Sequence, residues 1–141
     1  GKGSIKGILD SEDARRAGDV GADAIVVSNH GGRQLDGALS SIRMLAPIVA
    51  AVGEQVEVHM DSGLRSGQDV LKALALGAKG TYIGRAFTYG LGAMGQAGVS
   101  KSLELIQKEL ETSMGLCGVR KVDEIDRHTV LVPRHFSGDW A

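Results

Sequence analysis

The sequence predicts an α/β fold in which parallel strands alternate with helical crossovers, and three observations carry that prediction. The order strand, loop, helix occurs four times along the chain. The strand candidates are short β-branched runs such as Ala24-Ile25-Val26-Val27, of the kind buried on both faces of a parallel sheet. The polar, glycine-rich loops follow strands, which is the end where parallel α/β folds bind ligands. Periodicity alone leaves two architectures open, a doubly wound sheet or part of a (β/α)8 barrel.

Residues 5–9 read as the first strand, closed by Asp10-Ser11. Glu12 and Asp13 then stand where a helix dipole favours negative charge, and a short helix through Ala14, Ala17 and Val20 ends at Gly18 or Gly21. Residues 24–27 form the second strand and open into the loop Ser28 to Gly37. Helical spacing of Leu39, Ile42, Leu45, Ile48, Val49 and Val52 predicts a helix over 39–52, with Pro47 distorting its middle or marking a fresh start. A third strand over 56–60 leads to a loop over 61–67 and a helix over 69–76. Gly77-Ala78 ends that helix, and a fourth strand over 81–83 runs into Gly84-Arg85. Gly21-Ala22 and Gly77-Ala78 each close a helix and feed a strand, a faint repeat that supports βα units.

Beyond Arg85 the chain reads as helical. Residues 86–97 are interrupted by glycines, whereas 99–116 carry an apolar stripe at Leu103, Ile106, Leu110 and Met114. A short helix over 122–125 precedes a tail, 134–141, whose lone Trp140 either docks or stays disordered.

Composition removes several function classes. One cysteine excludes an intrachain disulfide or a cysteine-rich zinc site, and a net charge of −1 gives no basic stripe for nucleic acid. No apolar run approaches a membrane span and no signal peptide is visible, so a soluble protein of a reducing compartment is the default expectation. Glycine is the anomaly: 21 of 141 residues, about twice average usage, without the proline or low complexity of a disordered chain. In a folded chain glycines mark positive φ or close backbone approach, so their positions point to the site.

Three constellations carry chemistry. In Ser28-Asn29-His30-Gly31-Gly32-Arg33-Gln34-Leu35-Asp36, a strand end delivers a histidine suited to proton abstraction, two glycines that let backbone approach a ligand, and an arginine suited to a carboxylate. A lone histidine here would read as an ordinary turn; histidine, arginine and paired glycines together favour a site. In Asp61-Ser62-Gly63-Leu64-Arg65-Ser66-Gly67-Gln68-Asp69, followed by Gly84-Arg85, two arginines from adjacent strands and a helix N-terminus suit one phosphate. On spacing alone, ordinary βα turns with surface arginines fit that stretch equally well. Lys6, inside an apolar strand, must face solvent, find an anion or line a ligand site. Cys117 reads as a packed thiol near a helix end. His59 lies in a strand and His128 and His135 in or near the tail, with no metal-ligand spacing. A nucleophile elbow, a P-loop and a GxGxxG fingerprint are all lacking.

Taken with Lys6-Gly7-Ile8-Leu9 and Ile83-Gly84-Arg85, these strings resemble the C-terminal half of the FMN-dependent L-2-hydroxy acid dehydrogenases and oxidases over nearly all of 5–125. Ser28 to Asp36 is the specific part; the Asp61 and Gly84-Arg85 elements occur in other FMN barrels, such as isopentenyl-diphosphate isomerases and inosine-monophosphate dehydrogenases. The resemblance implies the C-terminal half of a (β/α)8 barrel, about four βα units with extra C-terminal helices. It implies FMN as cofactor and oxidation of an L-2-hydroxy acid, with His30 taking the α-hydroxyl proton as hydride passes to flavin N5 or, in the alternative the sequence leaves open, removing the α-proton to give a carbanion; no metal is expected from the residue spacing. Arg33 would bind the substrate carboxylate, and His30 would itself contact the substrate. Lys6 would stand at the N1/O2 edge of the flavin and Ser28 on the flavin side of its strand. Asp61, Ser62, Gly63 and Arg65 would contact the ribityl chain and phosphate, and Gly84 and Arg85 would complete the phosphate grip.

Within the family, Gln34 to Ser41, Gly84 to Phe87 and Gly95 to Val99 look most like the bacterial respiratory L-lactate dehydrogenase branch, which implies lactate oxidation to pyruvate. A glycolate- or mandelate-type oxidase and a non-catalytic half-barrel fragment are the alternatives. The resemblance also implies an electron acceptor (quinone, cytochrome or oxygen), a cytoplasmic location with attachment to the inner membrane face as an option, and a tetramer in full-length relatives. A complete barrel takes about 250 residues, so this chain is expected to pair with a missing N-terminal half, to dimerise as half-barrels, or to be a piece excised from a longer chain, with the isolated fragment inactive. Residues 1–4 read as a tag or non-native start, 5–126 as the half-barrel and 127–141 as the tail.

Overall fold

Parallel pairing joins β1 (Ser4–Ile8), β2 (Ala24–Val27), β3 (Glu57–Met60) and β4 (Gly80–Thr81) into one sheet in the order β1-β2-β3-β4. The computed structural model describes residues 3–133 and 136. Strictly sequential order is the winding of a barrel wall; a doubly wound sheet reverses direction at a switch point. The architecture left open by periodicity is thereby resolved, and the four βα units form an arc of a barrel. In register, Lys6, Val26, His59 and Gly80 share one row. Ile25, Val27, Val58 and Met60 alternate with them and point to the other face.

That second face carries the core. Ala14 and Ala17 of α1 (Ser11–Asp19), Leu45, Ile48 and Val52 of α2 (Ser41–Val52) and Ala73 of α3 (Gly67–Ala75) close on the strand residues. Small residues on α1 let it lie close to the sheet, and its start is fixed by Asp10, whose carboxylate accepts the Glu12 and Asp13 amides at 2.8 and 3.2 Å. A second cluster seats Leu71 and Ala75 of α3 against Met114 of α4 (Arg85–Leu116) and Ile125. No helix of the described residues is long and apolar enough to cross a membrane.

Several boundaries differ from expectation for physical reasons. α2 begins at Ser41 and runs unbroken through Pro47, because burial of Leu45, Ile48 and Val52 on one face outweighs the bond that proline removes. α3 starts at Gly67, two residues early, since Ser66 and Asp69 form a reciprocal capping box. β4 is shorter and earlier than 81–83, as a strand with one neighbour among the described residues, although the Tyr82 amide still donates to the Met60 carbonyl at 3.0 Å. The helices expected over 86–97 and 99–116 meet at Met94-Gly95, where the dihedrals leave the helical region. Gly98 stays helical and is buried, because the limb after the break packs on the limb before it with the Gly98 and Gly90 backbones in contact. The helix expected over 122–125 is a 3-10 turn, Val122–Glu124, followed by a second, Arg127–Thr129. Cys117 is exposed at the end of α4 and not packed. His135 and Trp140 lie outside the described residues.

Candidate active site

The chemistry-bearing residues stand at the C-terminal ends of the four strands. β1 bulges at Gly7, whose φ of +100° is closed to other residues at little cost. The bulge leaves a space above the strand, and the imidazole of His30 fills it: a Cβ on Gly7 would lie 2.6 Å from His30 Cε1. His30 opens a 3-10 turn, His30–Gly32, with its own φ at 55°. Such a conformation persists only where its surroundings hold it. The Asn29 side chain caps this turn by accepting the Gly31 amide at 2.9 Å, and the Asn29 amide donates to buried Ser41 at the start of α2 at 3.1 Å. The histidine loop is therefore tied to both the sheet and the helix behind it.

A polar cluster joins the first three strand ends. The Lys6 ammonium pairs with Asp61 Oδ2 at 3.1 Å and donates to Ser28 Oγ at 3.0 Å. Ser28, fully buried, also accepts the His30 amide at 3.1 Å. Ser62, with φ at 73°, accepts the Gly31 amide at 3.2 Å and donates to Asp61 Oδ1 at 2.8 Å. Burial pushes the Asp61 pKa up, but hydrogen bonds from Ser28, Ser62 and Lys6 and the charge of Lys6 outweigh it, so the carboxyl sits below its ordinary value. Asp61 thus stays ionised and holds Lys6 in place while leaving the ammonium at the cavity surface.

Cationic groups gather at the other side. The Arg33 Nε donates to the His30 carbonyl at 3.1 Å, which fixes its guanidinium beside the histidine. Arg33 Nε and an Arg85 terminal nitrogen both lie 3.8 Å from the point a Cβ on Gly31 would occupy, so arginines from the second and fourth strand ends converge there. Gly84 precedes α4 without any side-chain cap, leaving the first helical amides as donors toward the cavity side. Arg65 follows Gly63, whose φ is +85°, on the third loop. None of Arg33, Arg65 and Arg85 makes an ion pair among the described residues.

One cavity of about 950 Å³ gathers these groups. Lys6, His30, Arg33, Asp61, Ser62, Gly63, Arg65, Gly84 and Arg85 all line it. Ser28 does not; it lies beneath, binding Lys6 and the His30 amide. Two residues escaped sequence reasoning. Gly7 makes room for His30, and its signal was a glycine inside an otherwise apolar strand. Tyr82 lines the cavity wall, and its signal was a position two before Gly84, on the same face of the strand end. The arrangement offers an imidazole, a guanidinium beside it, an ammonium held at the cavity surface by a carboxylate, and an anion-binding end within one cavity.

A family model described as FMN-dependent dehydrogenase matches residues 1–132. An L-lactate dehydrogenase from Caulobacter sp. (strain K31) is 59% identical over 123 residues, 87% of this chain and 32% of the relative. The L-lactate dehydrogenase of Caulobacter vibrioides (strain NA1000 / CB15N) is 57% identical over 130 residues, 92% of this chain and 34% of the relative. Among solved structures, mandelate oxidase with 3,3-difluoro-2-hydroxy-3-phenylpropionic acid aligns with a TM-score of 0.85 at 56% identity, covering 88% of this chain and 38% of that one. A mandelate oxidase variant with a monooxide FMN adduct aligns with a TM-score of 0.82 at 57% identity, covering 85% of this chain and 38% of that one. The chain spans about a third of the length of the curated relatives it matches.

Proposed function

Because the chain belongs to the FMN-dependent dehydrogenase family, we propose that it forms the base- and phosphate-bearing part of a flavoenzyme that oxidises an L-2-hydroxy acid, with L-lactate as substrate. The observation that carries this reading is the seating of His30 on Gly7, beside Lys6 and with Arg33 bound to its carbonyl. A general base and a carboxylate anchor then face one cavity.

The residues present fit FMN by their donor chemistry. Arg65, Arg85 and the uncapped start of α4 suit the phosphate. Lys6, held by ionised Asp61, supplies a fixed positive charge to a polar ring edge. Bound FMN would accept two electrons from the alcohol together with its α-hydrogen. His30, as neutral imidazole, has one nitrogen without a proton and accepts that of the α-hydroxyl. Arg33 spends Nε on the His30 carbonyl and keeps its terminal N–H groups for the substrate carboxylate. Ser62, bonded to both Gly31 and Asp61, ties the histidine loop to the strand end that carries Asp61 and would keep the base in a fixed place relative to the residues that would hold the cofactor.

A mandelate-type oxidase is the second reading, favoured by mandelate oxidase structures at nearly the identity of the lactate enzymes. In either case the reaction needs an electron acceptor, whether quinone, cytochrome or oxygen. Mixing the chain with FMN and the N-terminal segment of the Caulobacter vibrioides relative, without oxygen, tests both readings. Bleaching of flavin absorbance by L-lactate supports the first and bleaching by mandelate alone the second. FMN binding that neither acid bleaches overturns both.

A further inference from the structure

Behind the cavity, the inner face of the sheet carries three linked polar side chains that the proposed chemistry does not use. His59 Nε2 lies 2.9 Å from Glu57 Oε1, and His59 Nδ1 lies 2.7 Å from the Tyr82 hydroxyl. Glu57 and His59 are two residues apart on β3 and so share a face. The pairing of His59 with Gly80 places the imidazole over the one residue of β4 that has no side chain to oppose it. A Cβ on Gly80 would stand 3.3 Å from both Cε1 and Nδ1 of the ring. Tyr82, two residues on, bends back to meet the imidazole, and the rings are tilted 43° with centroids 5.6 Å apart.

Donor and acceptor capacity fixes the order of this chain. A carboxylate only accepts, so Nε2 carries the proton shared with Glu57. In the neutral imidazole Nδ1 is then the acceptor and Tyr82 the donor. Tyr82 is thus pinned twice, at its hydroxyl by His59 and at its amide by the Met60 carbonyl at 3.0 Å. Of the three side chains only Tyr82 lines the cavity.

We propose that Glu57 and His59 are positioning residues that hold Tyr82 as a fixed wall of the cofactor cavity, through an imidazole locked in its Nε2–H form by Glu57. The role in cofactor binding rests on the flavin reading above; the locked network does not. Without His59 the Tyr82 ring at the sheet edge is free to rotate into the cavity, and binding then includes the cost of reordering it.

Two measurements on the chain test this. Histidine nitrogen NMR is expected to show His59 as the Nε2–H tautomer, with the Nδ1 resonance shifted by Tyr82→Phe and the two tautomers mixed in Glu57→Ala. FMN titrations with the N-terminal segment of the Caulobacter vibrioides relative present are expected to show about three- to tenfold weaker binding for Tyr82→Phe and for His59→Leu. The double variant should be no weaker than either single one, since both remove one interaction. His59→Gln, which keeps a donor and an acceptor, should bind FMN more tightly than His59→Leu, and Tyr89→Phe on α4 should bind as the parent does. Variants that bind as the parent does, or losses that add in the double variant, overturn the positioning role. Failure of the parent chain to bind FMN sinks the flavin reading alone. In that case mixed His59 tautomers in the parent, unmoved by Tyr82→Phe, would still overturn the network.

Discussion

The imidazole of His30 occupies the space that Gly7 leaves above β1, so closely that a Cβ at position 7 would lie 2.6 Å from Cε1. The imidazole of the second strand end is thereby located by the backbone of the first. Gly7→Ala is expected to displace the ring and to force alanine to a φ of +100°. The cost is about 1–3 kcal/mol of stability, read from urea unfolding, together with loss of flavin reduction in the reconstituted assembly.

Ser62 ties the histidine loop to Asp61 from a strained backbone, with φ at 73°. Ser62→Ala keeps the strain and loses the hydroxyl's bonds to Gly31 and Asp61, so it should destabilise by about 1–3 kcal/mol. Ser62→Gly loses the same bonds and relieves the strain, so its unfolding midpoint should fall between those of the parent and the alanine variant.

The Lys6–Asp61 pair gives a pH signature. The Asp61 carboxyl in the folded chain titrates below its ordinary value of 3.8. Its contribution to stability is therefore complete above that value and is lost as pH falls through the lower, folded-state value. Lys6→Met should raise the Asp61 midpoint in a carboxyl NMR titration. Lys6 is half exposed, so the stability at neutral pH should change by no more than about 1 kcal/mol.

Phosphate recognition separates from the rest of the cofactor by ligand choice. Arg65→Met and Arg85→Met should each weaken FMN about tenfold or more, the loss of one charge-assisted contact. Riboflavin, which lacks the phosphate, should bind the variants and the parent alike. Equal losses for both ligands in fluorescence titrations would remove these arginines from the phosphate site.

Where chemistry lies in one contiguous string after a strand, as in Ser28 to Asp36 and Asp61 to Asp69, it is readable from the sequence, because strand ends and glycine turns bring neighbours in sequence together in space. The parallel strands and helical crossovers are readable for the same reason, whereas the sequential strand order that separates a barrel arc from a doubly wound sheet comes from the strand pairing. Contacts that depend on register between strands are not. The linkage of Glu57, His59 and Tyr82 needs the alignment of His59 with Gly80, and nothing local to His59 announces it. Glycine identity also misleads about breaks in α4. Gly98 supports a close helix contact with Gly90, whereas Met94-Gly95 makes the turn. Gly98 is fixed by the backbone it packs on, whereas Gly95 acts through its own positive φ with nothing packed against it. Pro47 is tolerated for a similar reason, since the buried face of α2 outweighs the lost bond.

His30 is proposed as the base of a flavin-linked oxidation carried out in this cavity. Anaerobic stopped-flow reduction of FMN by L-lactate, in the chain reconstituted with the N-terminal segment of the Caulobacter vibrioides relative, tests it directly for the parent and His30→Gln. Bleaching is expected in the parent, and a rate at least about a hundredfold lower in the variant, within the usual range for loss of a general base, with FMN affinity retained. Equal rates in the two proteins would contradict it.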